Sequence, residues 1–330
     1  MDVPFWAWAA FIGFVLLMLF LDLFVFHRKA HRVSLQEAAA WTVFWVSLAI
    51  IFCIGLYFIE GKRVALEFLS GYLLEESLSV DNIFVFVLIF SYFRVPAEYQ
   101  HRVLFWGILT AVVLRGLMIL LGTTLVVRFS FLLAIFGAFL VYTGIRMFRH
   151  DDHVSVDPDS NIAVRLLRRI MPVTDRYHGT KFFIHQNGVR MATPLLVVLV
   201  LIETSDVIFA IDSIPAVLGI TQDPFIVFTS NIFAILGLRA LYFLVAGIID
   251  RFHYLQQGLA IVLTFVGVKM LAETFAPWVM GHEFHMPIEL SLGVIAVTLV
   301  SSVVLSLMRP KVPTLERVPQ PTAEAHELGG

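Results

Sequence analysis

The chain has 330 residues, 59% of them hydrophobic and 15% charged, with a formal net charge of −2. So apolar a balance excludes a soluble domain built round one core, and the lack of a basic excess excludes a nucleic-acid-binding face. A single cysteine, Cys53, excludes an internal disulfide and a cysteine metal cluster.

Apolar runs of about twenty residues recur along the chain, the signature of membrane-spanning helices. In chain order they predict nine spans, at roughly 4–26, 39–59, 64–93, 101–125, 130–148, 191–220, 225–249, 256–276 and 287–308. Helices are the expected spanning form because backbone groups must pair within the segment. Residues 1–4 lack the basic start of a cleavable signal, and the first run is long enough to stay in the bilayer. Pro194 and Pro224 stand at span starts, where a missing N–H costs little. No G-x-x-x-x-G-K-[ST] motif occurs, which argues against an ATP-driven pump of that class.

Lysine and arginine set the expected orientation. With the N-terminus outside, seventeen of the 23 fall inside, Lys62, Arg63 and Arg128 fall outside, and Arg115, Arg239 and Lys269 lie within spans. That asymmetry predicts an N-outside, C-inside protein. The chain then divides into spans 1–5 (residues 1–148), a cytoplasmic polar loop (149–190), spans 6–9 (191–308) and a Pro- and Glu-containing tail (309–330) expected to be disordered. The loop begins with HDDHVSVDPDSN, read as a solvated acidic connector in preference to a metal sensor.

Span 3 carries SVDNIFV and span 6 carries TSDVIFA, so Asp81 falls on Asp206. LRGLMILLG aligns Arg115 with Arg239 in LRALYFLVAG, and TGIRMF aligns Gly144 with Gly267 in VGVKML. The offsets are 125, 124 and 123. They predict a duplicated three-span unit, spans 3–5 and 6–8. Three is odd, so the two units take opposite orientations, a recurring design of secondary transporters.

The spans also hold Glu75, Asp81, Glu203, Asp206 and Asp212. An ionisable residue at a span centre costs on the order of 2.5–3.5 kcal/mol, so five unpaired would cost roughly 12–18 kcal/mol. Arg115 and Arg239 are the expected structural ion-pair partners, but two arginines cannot neutralise five carboxylates. The remainder must bind protons or a cation. Counting about 1.5 Å per residue predicts one level shared by Asp81 and Asp206 and another by Glu75 and Asp212. Glu203 is one turn inward of Asp206, and Glu76 is expected to point elsewhere. Asn82, Asn231, Ser205 and Ser213 offer further oxygens, though serines in spans more often bond between helices. Pro215 should leave the Ile211 carbonyl without its helical donor. Asp22, near the inner end of span 1, is a further candidate on the same route. His282 and His285 in GHEFH would be at most a weak outer metal trap. An all-oxygen set suits Mg²⁺, Ca²⁺ or Mn²⁺ and argues against Cu⁺.

GYLLEESLSVDNIFVFVLIFSYFRVPAEYQHRVLFWGIL and ETSDVIFAIDSIPAVLGITQDPFIVFTSNIFAILGLRALYFL resemble the two signature regions of the TerC family, including its Alx branch, and LDLFVFHRKAH and YTGIRMFRH extend the likeness. The resemblance implies a Mn²⁺ exporter of a bacterial inner membrane, from a family historically linked to tellurium resistance. It also implies that the acids of the two signatures, Glu75, Asp81, Glu203, Asp206 and Asp212, with Asp22 in the LD motif, serve transport. Glu76 stands where relatives often have a basic residue. A tellurite anion should avoid a lane of carboxylates.

The reading that follows is a secondary exporter of a divalent cation exchanged for protons, with no enzymatic activity and no organic cofactor. Its partners would be the cation, protons and the lipid bilayer. A passive divalent-cation channel using the same acids and a membrane scaffold acting in metal or tellurium stress are the alternatives. An intramembrane aspartyl protease would leave both arginines unexplained, and its G-x-G-D pattern is absent.

Overall fold

The computed structural model describes residues 3–21, 34–129, 131–149, 161–186, 188–246, 254–280, 282 and 284–309. Ten helices and one hairpin follow in the order α1 (Phe5–Leu21), α2 (Leu35–Ile59), α3 (Lys62–Tyr92), α4 (Ala97–Arg128), α5 (Phe131–Arg149), α6 (Ile162–Ile170), β1 (Phe183–Gln186), β2 (Val189–Ala192), α7 (Pro194–Leu218), α8 (Pro224–Val245), α9 (Leu255–Met280) and α10 (Ile288–Met308). Seven of the described helices are long and apolar enough to cross a membrane: α2, α4, α5, α7, α8, α9 and α10. The protein is thus an all-helical polytopic membrane protein. α1 is apolar but has only 17 residues. α3 has 31 residues, about 46 Å of helix, but carries Lys62, Arg63, Glu67, Glu75, Glu76 and Asp81.

Local chemistry starts these helices where the sequence expects. Pro194 and Pro224 sit in the first turns of α7 and α8. Asp223 caps α8 by accepting from Phe225 N at 2.9 Å and Ile226 N at 3.3 Å. Pro215 lies inside α7 and is buried.

α8 is the central helix, with α1, α2, α3 and α4 packed around it. Its side chains are buried almost throughout. One wall is aromatic: Phe52 stacks near Phe233 and Phe68, with centroids 5.0 and 5.1 Å away. α3 packs on α8, α4 on α7, and α5 on α9. The α5–α9 contact is close because glycines line it. A Cβ at Gly267 would stand 2.7 Å from Gly137 O, and one at Gly144 would stand 2.8 Å from Ala260 O. Small residues let helix backbones approach in this way where lipid supplies no hydrophobic drive. The outer faces keep large apolar side chains exposed, among them Ile51, Phe58, Leu121, Val297 and Val300, as a lipid-facing surface requires.

The polar segment 149–190 is more structured than its composition suggests. It contains α6, capped by Asn161 Oδ1 accepting from Ala163 N and Val164 N, and most of an antiparallel hairpin pairing Phe183 with Ala192. Tyr177 straps this region to the end of α3 by donating to Phe93 O at 2.8 Å. Burial pushes the Tyr177 hydroxyl up to about 12, so it stays a donor at neutral pH. The acidic run 150–159, Asp22 and the tail beyond Arg309 lie outside the described residues.

Candidate cation site

Three helices converge on one guanidinium. Arg115, on α4, is buried to 2% exposure. Its Nη1 donates to Glu75 Oε2 of α3 at 2.8 Å. Its Nη2 and Nε donate to Asp206 Oδ1 and Oδ2 of α7 at 2.8 and 3.2 Å. Two-point binding of a carboxylate is what the planar fork of arginine does best. Nη1 also reaches Asn231 Oδ1 of α8 at 3.5 Å. With its amide oxygen turned toward Arg115, Asn82 accepts from Nη2 at 3.2 Å and donates to Leu78 O.

One positive charge therefore faces two negative ones. Ser213 and Asn231 lie beside the Glu75 carboxyl, but among the described residues Glu75 Oε1, Ser213 Oγ and Asn231 Nδ2 have no well-formed hydrogen bond. Buried polar atoms are rarely left so. Gly71 brings the helices together here: a Cβ at that position would meet Ser230 Oγ at 2.9 Å.

The other predicted acids are arranged differently. Glu203 faces Gly107 of α4, and neither of its carboxylate oxygens has a hydrogen-bond partner. The nearby Thr110 hydroxyl donates to Trp106 O instead. Asp212 feels the attraction of Arg146 from α5. Asp81, part-buried on α3, makes no hydrogen bond or ion pair among the described residues. Glu76 lies beside Tyr72, with its Oε2 enclosed and without a hydrogen-bond partner among the described residues. Ser205 donates to Leu201 O on its own helix at 2.9 Å, so its hydroxyl proton is taken up within α7.

One expectation needs correction. The levels predicted from helix rise pair Asp81 with Asp206 and Glu75 with Asp212, whereas Glu75 and Asp206 meet across Arg115. Rise along an axis fixes depth only for helices parallel to the membrane normal, and a long side chain from a third helix spans the remainder. Arg239, aligned with Arg115 by the repeat, has its Nη1 3.0 Å from His101 Nε2. Sequence reasoning missed Arg146 and His101 because both read as charges at the inner ends of spans. Among the described residues no group of three or more His, Cys, Asp or Glu forms a ready metal shell.

The description of the TerC family, integral membrane protein, matches residues 60–313. The chain belongs to the TerC family. An uncharacterized membrane protein of Myxococcus xanthus, STKORF319, is 51% identical over 92% of each chain. The Escherichia coli (strain K12) protein named "Putative membrane-bound redox modulator Alx" is 46% identical over 91% of this TerC-family chain and 93% of its own length. The thylakoid membrane protein TERC of Arabidopsis thaliana is 47% identical over 79% of this chain and 66% of its own. No solved structure matches. The relatives thus include bacterial and thylakoid membrane proteins, and the matched region contains Glu75, Arg115 and Asp206.

Proposed function

We propose that the protein is a secondary transporter that exports a divalent cation, Mn²⁺ foremost, across a bacterial inner membrane in exchange for protons. The observation that carries this reading is a surplus of buried and part-buried carboxylates: Glu75 and Asp206 share the single guanidinium of Arg115, while among the described residues Glu203 and Asp81 have no ion-pair partner. Carboxylates this deep are expensive, and acids that bind metal when ionised bind protons otherwise, which couples two fluxes. Ca²⁺ and Mg²⁺ use the same oxygen chemistry.

The transporter reading includes nine spans, an outside N-terminus and inverted repeats. Packing supports the repeats. With an offset of 123, Gly137 corresponds to Ala260 and Gly144 to Gly267, so the contact of Gly267 on Gly137 is the mate of Gly144 on Ala260. Likewise α3 on α8 is the mate of α7 on α4. The redox role in the name of the Escherichia coli relative has less support here: the lone Cys53 donates to Ala65 O, and a disulfide switch within one chain needs two thiols.

The test is Mn²⁺ uptake into inverted membrane vesicles, with and without a pH gradient, for the wild type and Asp206→Asn. The reading predicts gradient-driven uptake that the substitution abolishes. Uptake no greater than in vesicles lacking the protein would remove transport. Uptake indifferent to collapse of the gradient would remove the antiport alone.

A further inference from the structure

We infer that the guanidinium of Arg115 holds the seat of the transported cation, as a built-in counter-ion that a divalent metal must displace. This rests on the transport reading above and names how its site is kept when empty.

The surroundings of the guanidinium are a hard-cation ligand set. Glu75 Oε2 and Asp206 Oδ1 stand 2.8 Å from its terminal nitrogens and Asp206 Oδ2 stands 3.2 Å from Nε. The amide oxygens of Asn82 and Asn231 complete the near shell at 3.2 and 3.5 Å. Two more oxygens beside it, Glu75 Oε1 and Ser213 Oγ, are enclosed and unused. Carboxylate and amide oxygens in this number are what Mn²⁺ or Ca²⁺ takes. The charges point the same way. Two carboxylates around one guanidinium leave the group one positive charge short, and a divalent ion supplies two.

A clamp that served stability alone would not need a surplus carboxylate oxygen with a serine hydroxyl and an amide gathered beside it. A seat built for another occupant accounts for all three. Guanidinium nitrogens sit farther from their acceptors than a metal does, since Mn²⁺-class ions bind oxygen at about 2.0–2.6 Å. The shell must therefore contract as Arg115 withdraws. While the metal is absent, the arginine keeps two carboxylates from standing bare in the bilayer. It also weakens metal binding, which lets the cargo leave.

The experiment measures Mn²⁺ binding to the purified full chain in detergent, by electron paramagnetic resonance of the free ion. Arg115→Gln, which removes the competitor, should bind Mn²⁺ about tenfold or more tightly than the wild type, and Glu75→Gln added to it should cancel the gain. Arg115→Lys keeps the charge but loses the two-point fork, so it should bind with an affinity between the two, and this holds the test open if Arg115→Gln does not fold. Arg115→Gln binding no tighter than wild type would overturn the inference. So would a gain that persists after Glu75 is neutralised, or an Arg115→Lys protein that binds more weakly than wild type. Tight binding without vesicle uptake would sink transport and keep the seat; Asp206-dependent uptake without the binding gain would do the reverse.

Discussion

Glu75 on α3 and Asp206 on α7 lie on two sides of one arginine, each with an oxygen 2.8 Å from a terminal nitrogen of Arg115. Neither helix reaches the other's carboxylate directly; the third helix, α4, joins them. The unit is therefore one of three elements, and removing any member leaves the others improperly charged.

Replacing Arg115 with methionine leaves two carboxylates enclosed without a counter-charge. The expected loss is about 3–5 kcal/mol, read as a lower melting temperature of the purified protein. Mn²⁺ should restore part of the loss, because a ligand bound only by the folded state stabilises it. A variant as stable as wild type without added cation would show that the pair contributes nothing.

Glu203→Gln tests an acid that has no partner to lose. The carboxylate oxygens already lack hydrogen bonds, so the amide should leave the melting temperature unchanged or slightly raised. Vesicle uptake of Mn²⁺ should lose its dependence on the pH gradient. A large fall in stability, with gradient dependence intact, would assign Glu203 a structural role.

The α5–α9 contact makes a packing prediction. Gly267→Val sets new carbons against the Gly137 carbonyl and Val141 and should cost about 1–3 kcal/mol by overpacking. Gly293→Val on α10 meets open space and serves as the control. Equal melting temperatures for the two variants would mean that the helices part without cost.

Asp223→Ala removes the cap of the central helix. Two amides lose their acceptor, at an expected cost of about 0.5–2 kcal/mol. Asp223→Asn, which keeps the accepting oxygen, should recover most of it in the same melting assay.

Much of the helical plan can be read in advance from residue patterns. Pro194 and Pro224 mark helix starts, and the apolar runs locate the seven described helices that are long and apolar enough to cross a membrane to within a few residues of their ends. The carboxylates of α3 and α7 stand out by their cost in an apolar run. Their grouping does not. Spacing along a helix identifies neighbours three and four residues apart, and says nothing about which of five acids a distant arginine will choose. Arg115 selects Glu75 and Asp206 because α4 packs on α7 and α8, and α8 on α3. The hairpin within 183–192 is also hard to foresee. Its strands have four residues each, too short to show alternation, and the local sign in the sequence is the dipeptide Asn187-Gly188, a pair that favours tight hairpin turns.

The enclosure of α8 bears on how the chain is made. The helices that surround it, α1 to α4, all leave the ribosome before it does. Until residue 224 emerges, the early half must wait in the bilayer with an unfilled trough where Phe225, Asn231 and Phe233 will settle. A ribosome stalled in the α7–α8 turn would thus strand Arg115 and Glu75 beside a vacant groove.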